Sequence, residues 1–294
     1  MYDLEQFVNN PLYIKNGSFQ TLGSATATYN SNLLCYASTL SYLKSALKNP
    51  HISCIITTPA LSKYIQNKAF AVVDEPDIVY GEIANQLILS GQMQPTMDFY
   101  IDKSAQIHPT ANVSSKCKIG QNVIIGRNAI IDDYTILDDN VIIGDNVVIG
   151  CEGFYFKRTQ TGELMKFLHA GGVHLHKNVE VMTGSIIQRA HDADFTSVGE
   201  GTKISVNVNI GHSSQIGKHN MITGNVQIAG RVTIGNYCWI GTSVTISDSV
   251  KIANYAKVKI GSVVIKDVKE NQTVSGNFAY EHSKHLKNCI QSQR

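Results

Sequence analysis

The chain has 294 residues, enough for one large or two ordinary domains, each with its own core. Its formal net charge is only +2 and its basic residues are scattered, which excludes a general field for nucleic acid or an anionic membrane. Six cysteines (Cys35, Cys54, Cys117, Cys151, Cys238, Cys289) lie far apart with no Cys-x-x-Cys pair, the first residues lack the apolar core of a secretory signal, and no apolar run approaches the roughly 18 to 20 residues of a membrane helix. A reduced, soluble, cytoplasmic protein is expected, with no nucleic acid partner and no membrane insertion.

Residues 1–100 read as a small α/β domain. Leu33 to Leu47 is expected to be helical, Ile52 to Thr57 a strand, Leu61 to Gln66 a helix, Phe70 to Val73 a strand and Asp77 to Leu89 a helix. The segment Ser90-Gly-Gln-Met-Gln-Pro-Thr-Met97 carries breakers and reads as a linker.

From Ile101 the sequence changes character. Every sixth residue is aliphatic through Ile107, Val113, Ile119, Ile125, Ile131, Leu137, Ile143 and Ile149, and a second unbroken series runs from Val198 to Val264. Glycine often follows the aliphatic residue and Asn or Asp tends to come next but one, which is turn chemistry after a short strand. A six-residue period fits neither a helix nor a lone strand. It fits short strands meeting at corners, three to a coil of about 18 residues, with coils stacked at roughly 4.8 Å. Residues 101–276 are therefore expected to form a parallel β-helix. About twenty buried aliphatics at roughly 1.5 to 3 kcal/mol each account for the rod, so chemistry must sit where the pattern is broken or decorated. It is broken by insertions at 151–172 and 188–197, with about one coil between them over 173–187. Residues 277–294 read as a short helical tail.

His212, in Asn209-Ile-Gly-His212, falls at a corner and is expected to point outward. One coil on, at the same phase, is Gly230, which leaves its backbone N–H uncovered beside the imidazole. A neutral imidazole can take a proton at neutral pH, and a bare N–H can stabilise an oxyanion. Together they supply what acyl transfer from a thioester requires. Asp194 lies one coil earlier and is a candidate to orient the ring. The bland reading makes His212 a surface residue and Gly230 a turn glycine. Metal binding is the rival use of histidine: His169, His174, His176 and His191 gather in and after the insertions, and His174-Leu-His176 suits two ligands on one strand face. Some β-helix hydratases of the γ-class carbonic anhydrase type hold zinc in this way, but His212 and His219 do not reproduce their spacing, and no metal is assigned.

With these residues in view, the chain resembles the UDP-3-O-acylglucosamine N-acyltransferase family of hexapeptide-repeat enzymes. Gly150-Cys-Glu-Gly-Phe154 is similar to its Gly-x-Asp-Gly-Phe loop, Ile204-Ser-Val-Asn-Val-Asn-Ile-Gly-His212 to its segment ending in the general base, and Val226-Gln-Ile-Ala-Gly230 to its oxyanion segment. The resemblance implies a left-handed coil, a homotrimer, His212 as base and Gly230 as oxyanion donor. It also implies a substrate-binding role for Glu152, Phe154 and Asn207, with the loop from Glu152 to His169 walling a cleft between subunits. In the N-terminal region the family's base-stacking stretch corresponds to Leu33-Leu-Cys-Tyr-Ala-Ser-Thr-Leu-Ser-Tyr42, where Cys35 replaces the expected Phe and leaves Tyr36 and Tyr42. Two departures matter. The ending Val263 to Ala279 is similar to that of CoA-dependent sugar acetyltransferases, with Phe278 for Pro, and the second histidine of the lipid A enzymes, two coils after the base, is absent where this chain reads Ser247-Asp-Ser249. These favour coenzyme A as acyl donor, with no metal required, and a nucleotide-linked amino sugar of surface polysaccharide as acceptor. The lipid A N-acyltransferase using acyl carrier protein, a zinc hydratase and a catalytically silent trimeric scaffold are the alternatives.

Overall fold

The computed structural model describes residues 1–27 and 31–276, so the helical tail expected over 277–294 lies outside the described residues. From Tyr100 onward the chain forms three parallel sheets of eight, eight and nine short strands, each joining strands from successive coils. Together they make the parallel β-helix that the six-residue period demands, left-handed as the resemblance implies. Lys118–Ile119 pairs with Tyr100–Ile101 below and with Ile136–Leu137 above, and the same step recurs up the rod. Both insertions leave the stack intact: Leu137 pairs with Leu175 across the first, and Leu175 with Val198 across the second.

The aliphatic columns are the core. Ile125, Ile143, Val181, Ile204, Ile222 and Ile240 stack inside one sheet with at most 1% of their surface exposed. Two residues before each, a second side chain also points inward. Some of these are polar and satisfy themselves on the backbone: Thr202 donates to the Gly217 carbonyl, and Asn220 donates to the Gly235 carbonyl while accepting from the Cys238 N–H. At the corners the third residue after the aliphatic takes the left-handed conformation, at φ 56° for Asn122 and 55° for Asn128, which Asn tolerates better than most residues.

In the N-terminal domain a five-stranded sheet carries three helices, α1 (Leu40–Lys48), α2 (Pro59–Ser62) and α3 (Pro76–Leu89). Ile52–Thr57 and α3 lie where the sequence puts them, Ala69–Val72 lies one residue early, and in place of the helix expected over Leu61 to Gln66 a shorter one, Pro59–Ser62, starts two residues earlier. The expectation of a helix from Leu33 is corrected: Leu33–Ala37 is a strand held between parallel neighbours Thr21–Leu22 and Ile52–Thr57, and the helix starts only at Leu40. A short apolar run buried on both faces of a parallel sheet carries no periodicity that separates it from a helix.

The domain and the rod share packing. The cluster containing Leu4, Leu22, Leu34, Ile83 and Leu87 extends to Ala170, from the end of the first insertion, and has Ala193 of the second packed against it. That first insertion is a hairpin, Phe156–Arg158 antiparallel to Leu164–Lys166, clamped onto α3. Phe167 is fully buried against Gly81, where a Cβ would fall on its ring. Asn85 donates to the Lys166 carbonyl at 2.7 Å and accepts from the Leu168 N–H at 2.9 Å, and Lys157 pairs with Asp77 at 3.2 Å. In this chain the insertion ties the rod to its own N-terminal domain. No helix among the described residues is long and apolar enough to cross a membrane.

Candidate active site

His212 sits at the corner between strands Asn209–Ile210 and Gln215–Ile216. It is not an outward surface residue, because only 9% of it is exposed. Its ring lies directly over Gly230: a Cβ there would come within 2.5 Å of Nε2. Only glycine permits that approach. Gly211 does a second job, since a Cβ on it would lie 2.6 Å from the Gly230 nitrogen and cover it.

The Gly230 N–H differs from those at several equivalent positions of the rod. At four equivalent positions the N–H is capped by the side chain one coil above: Gln121 by Asp139, Arg127 by Asp145, Lys218 by Asn236 and Asn236 by Asn254, at 2.7 to 3.0 Å; at others, such as Asp133, Val206 and Thr242, it has no acceptor among the described residues. The residue that should cap Gly230 is Asp248. Its carboxylate is instead turned to Arg231, which grips both oxygens at 2.9 and 3.1 Å. Among the described residues the Gly230 N–H has no acceptor. The His212 N–H, which has only Gly230 above it, finds Gln188 Oε1 at 3.2 Å instead.

The walls come from both insertions. Tyr155 stacks over the His212 ring at 6.0 Å and 16°, and His169 meets that ring edge-on at 5.4 Å. His191 closes the group, 4.7 Å from Tyr155 and 5.6 Å from His169, with Nδ1 held by Asp192 at 3.0 Å. Burial, then the charges of Arg231 and His191, push the His212 imidazole down to about 4, and burial pushes His169 down to about 3. Both rings are therefore neutral at pH 7. His212 Nδ1 has no hydrogen-bond partner among the described residues.

The other expected residues divide. Asp194 does not orient His212: its backbone carbonyl accepts from Gly172, and burial raises its carboxyl. Tyr36 is half-buried, packed 5.1 Å from Tyr80 and close to Tyr155, so it is not a free stacking platform. Tyr42 is 58% exposed at the start of α1 and lies near Arg231. Glu152 is tied to Lys166, and Phe154, 86% exposed, packs on Phe156. Asn207 occupies the preceding corner in the left-handed conformation, one strand away from His212. The histidines separate as well, His169 and His191 joining His212, while His174 and His176 stand with Asp138, two rungs below the strand that follows His212. Sequence reasoning missed Arg231, Tyr155, Gln188 and the role of Asp248. Asp248 had a signal: it stands two coils above His212, where the resemblance notes the missing histidine.

No protein-family model matches the chain, and no curated protein does. Solved structures do. The UDP-N-acetylglucosamine O-acyltransferase of Moraxella catarrhalis is 24% identical, over 64% of this chain and 75% of that one, with a TM-score of 0.41. The UDP-N-acetylglucosamine acyltransferase of Campylobacter jejuni is 20% identical, over 65% of this chain and 83% of that one, at 0.49. PerB from Caulobacter crescentus, solved with CoA and GDP-perosamine, is 13% identical over 76% of this chain and 68% of that one, at 0.22.

Proposed function

We propose that the chain is an N-acyltransferase, working as a homotrimer, that moves an acyl group from a CoA thioester to the amine of a nucleotide-linked amino sugar in surface polysaccharide synthesis. The observation that carries this reading is the uncapped N–H of Gly230 beneath the Nε2 of a buried, neutral His212. The amine attacks the thioester carbon as Nε2 takes its proton, and the carbonyl oxygen, now negative, accepts from the Gly230 N–H. Collapse breaks the C–S bond, the thiolate takes the proton back from the imidazolium, and an amide is left. Arg231, with Tyr42 near it, offers a positive charge to a diphosphate; burial works against that charge, and the Asp248 carboxylate is the main group that offsets the penalty.

Two further features support parts of the reading. Outward-facing isoleucines, Ile124 and Ile142 on one sheet and Ile130 and Ile186 on the next, offer apolar surface for association of copies. At the next corner, Met221, Tyr237, Trp239, Lys257 and Lys259 line a groove whose aromatic faces and paired ammonium groups suit the adenine and phosphates of CoA.

The test is acyl transfer with acyl-CoA and acyl carrier protein donors, against nucleotide sugars bearing an amine or a hydroxyl at the same carbon. His212→Ala should lower kcat about 10²- to 10⁴-fold with KM little changed. Unchanged turnover contradicts the mechanism; a preference for the hydroxyl acceptor or for carrier protein corrects the substrate while leaving the base in place.

A further inference from the structure

We propose that Asp138, His174 and His176 form a binding site for one divalent transition-metal ion of the zinc class, on an outer face of the rod away from His212. The parallel register builds it. Leu137 pairs with Leu175, so Asp138 lies one coil below His176, and the alternation of the strand turns His174 and His176 to the same outer side of buried Leu175. The Asp138 carboxylate then stands between two imidazoles: His174 Nε2 is 3.2 Å from one oxygen and His176 Nδ1 is 3.3 Å from the other. The two rings are 3.9 Å apart, and one donor atom from each of the three residues lies within 4.8 Å of the other two. Among the described residues no other three such donors converge so closely.

The surroundings match what a ligating histidine needs. His176 Nε2 is 3.2 Å from the Ser197 hydroxyl, which sits on the next coil directly above His174. A hydrogen-bonded far nitrogen fixes the ring and leaves the near one to face the ion. Two imidazoles and one carboxylate form a nitrogen-rich donor set suited to Zn²⁺ or Co²⁺, with at least one position open, whereas Mg²⁺ and Ca²⁺ favour all-oxygen sets. A simple His–Asp hydrogen bond would need one imidazole, not two sharing one carboxylate. The site is separate from the corner: Ser197 pairs in turn with Gln215, which puts His174 two rungs below the strand that follows His212. It does not depend on the acyl-transfer reading.

The full chain, stripped with a chelator, should be titrated with Co²⁺ as the probe. The expected result is one Co²⁺ per chain, with visible ligand-field absorption, displaced by Zn²⁺ and not by Mg²⁺. Asp138→Asn and His174→Ala should abolish it, Ser197→Ala should weaken it about 10- to 100-fold, and His212→Ala should leave it unchanged. Far-UV circular dichroism checks the fold of each variant, and should His174→Ala fail to fold, His176→Gln and Ser197→Ala carry the test. Absence of saturable Co²⁺ binding overturns the proposal. So does binding that survives in the His174 and His176 variants and is lost with His169 or His212.

Discussion

Two neighbouring corners of the rod show how a structural repeat becomes a site. At Lys218 the corner N–H is capped by Asn236, whose own N–H is capped by Asn254, a two-step ladder of side chain on backbone. At His212 the ladder is cut twice. Gly230 offers no side chain to cap His212, and Asp248, which should cap Gly230, is held away by Arg231. The first cut makes room for an imidazole, and the second leaves a backbone donor open beneath it. Both corners have the same backbone path; what differs is which hydrogen bonds the sequence withholds.

Gly230→Ala breaks the second corner most severely. The new methyl would occupy the place of the His212 ring, and activity should fall about 10²- to 10³-fold, on the scale of losing an oxyanion donor, when kcat is measured with acyl-CoA. Asp248→Asn should convert the corner towards the Lys218 type by freeing an amide to cap Gly230; a loss of about tenfold in kcat, the scale of one hydrogen bond, is expected. Trp239→Ala should raise KM for acyl-CoA several-fold with kcat retained, on the scale of about 1 kcal/mol for an aromatic contact.

The smaller effects are in pH. His212 is held down to about 4, so the acid limb of kcat/KM should lie well below the usual histidine value; removing a neighbouring positive charge by Arg231→Gln should move that limb upward. For stability, His169 binds its proton more weakly in the folded chain than in the unfolded one. Its contribution is complete above the ordinary histidine pKa and is lost as pH falls from about 6.5 towards about 3. His169→Asn should flatten the decline in melting temperature over that window.

The rod was legible because one aliphatic per side repeats without a miss, and from Ile119 onward the structure returns those residues as its core columns, the first coil being left partly open. His212 and Gly230 were legible for the same reason, since equal phase in the repeat means adjacency in space. The walls were not. Tyr155, His169 and His191 sit in insertions outside the repeat, and the hairpin's attachment to α3 depends on Phe167 meeting Gly81, a contact between positions far apart in the chain. Leu33–Ala37 misled because an apolar run buried on both faces has no period to read. Asp194 misled because equal phase was carried through an insertion, where the local chain bends back on itself, its N–H bonding the Asp192 carbonyl at 2.7 Å.

The central claim is that His212 and Gly230 hold one reacting group between them. The most direct measurement is a crystal structure with a CoA-linked mimic of the tetrahedral intermediate and the amino-sugar portion attached. The oxyanion should lie about 2.7 to 3.1 Å from the Gly230 nitrogen, with the acceptor nitrogen within hydrogen-bond reach of His212 Nε2. A mimic bound elsewhere, with the Gly230 N–H capped by Asp248 or by water and His212 remote from the acceptor, would contradict the account.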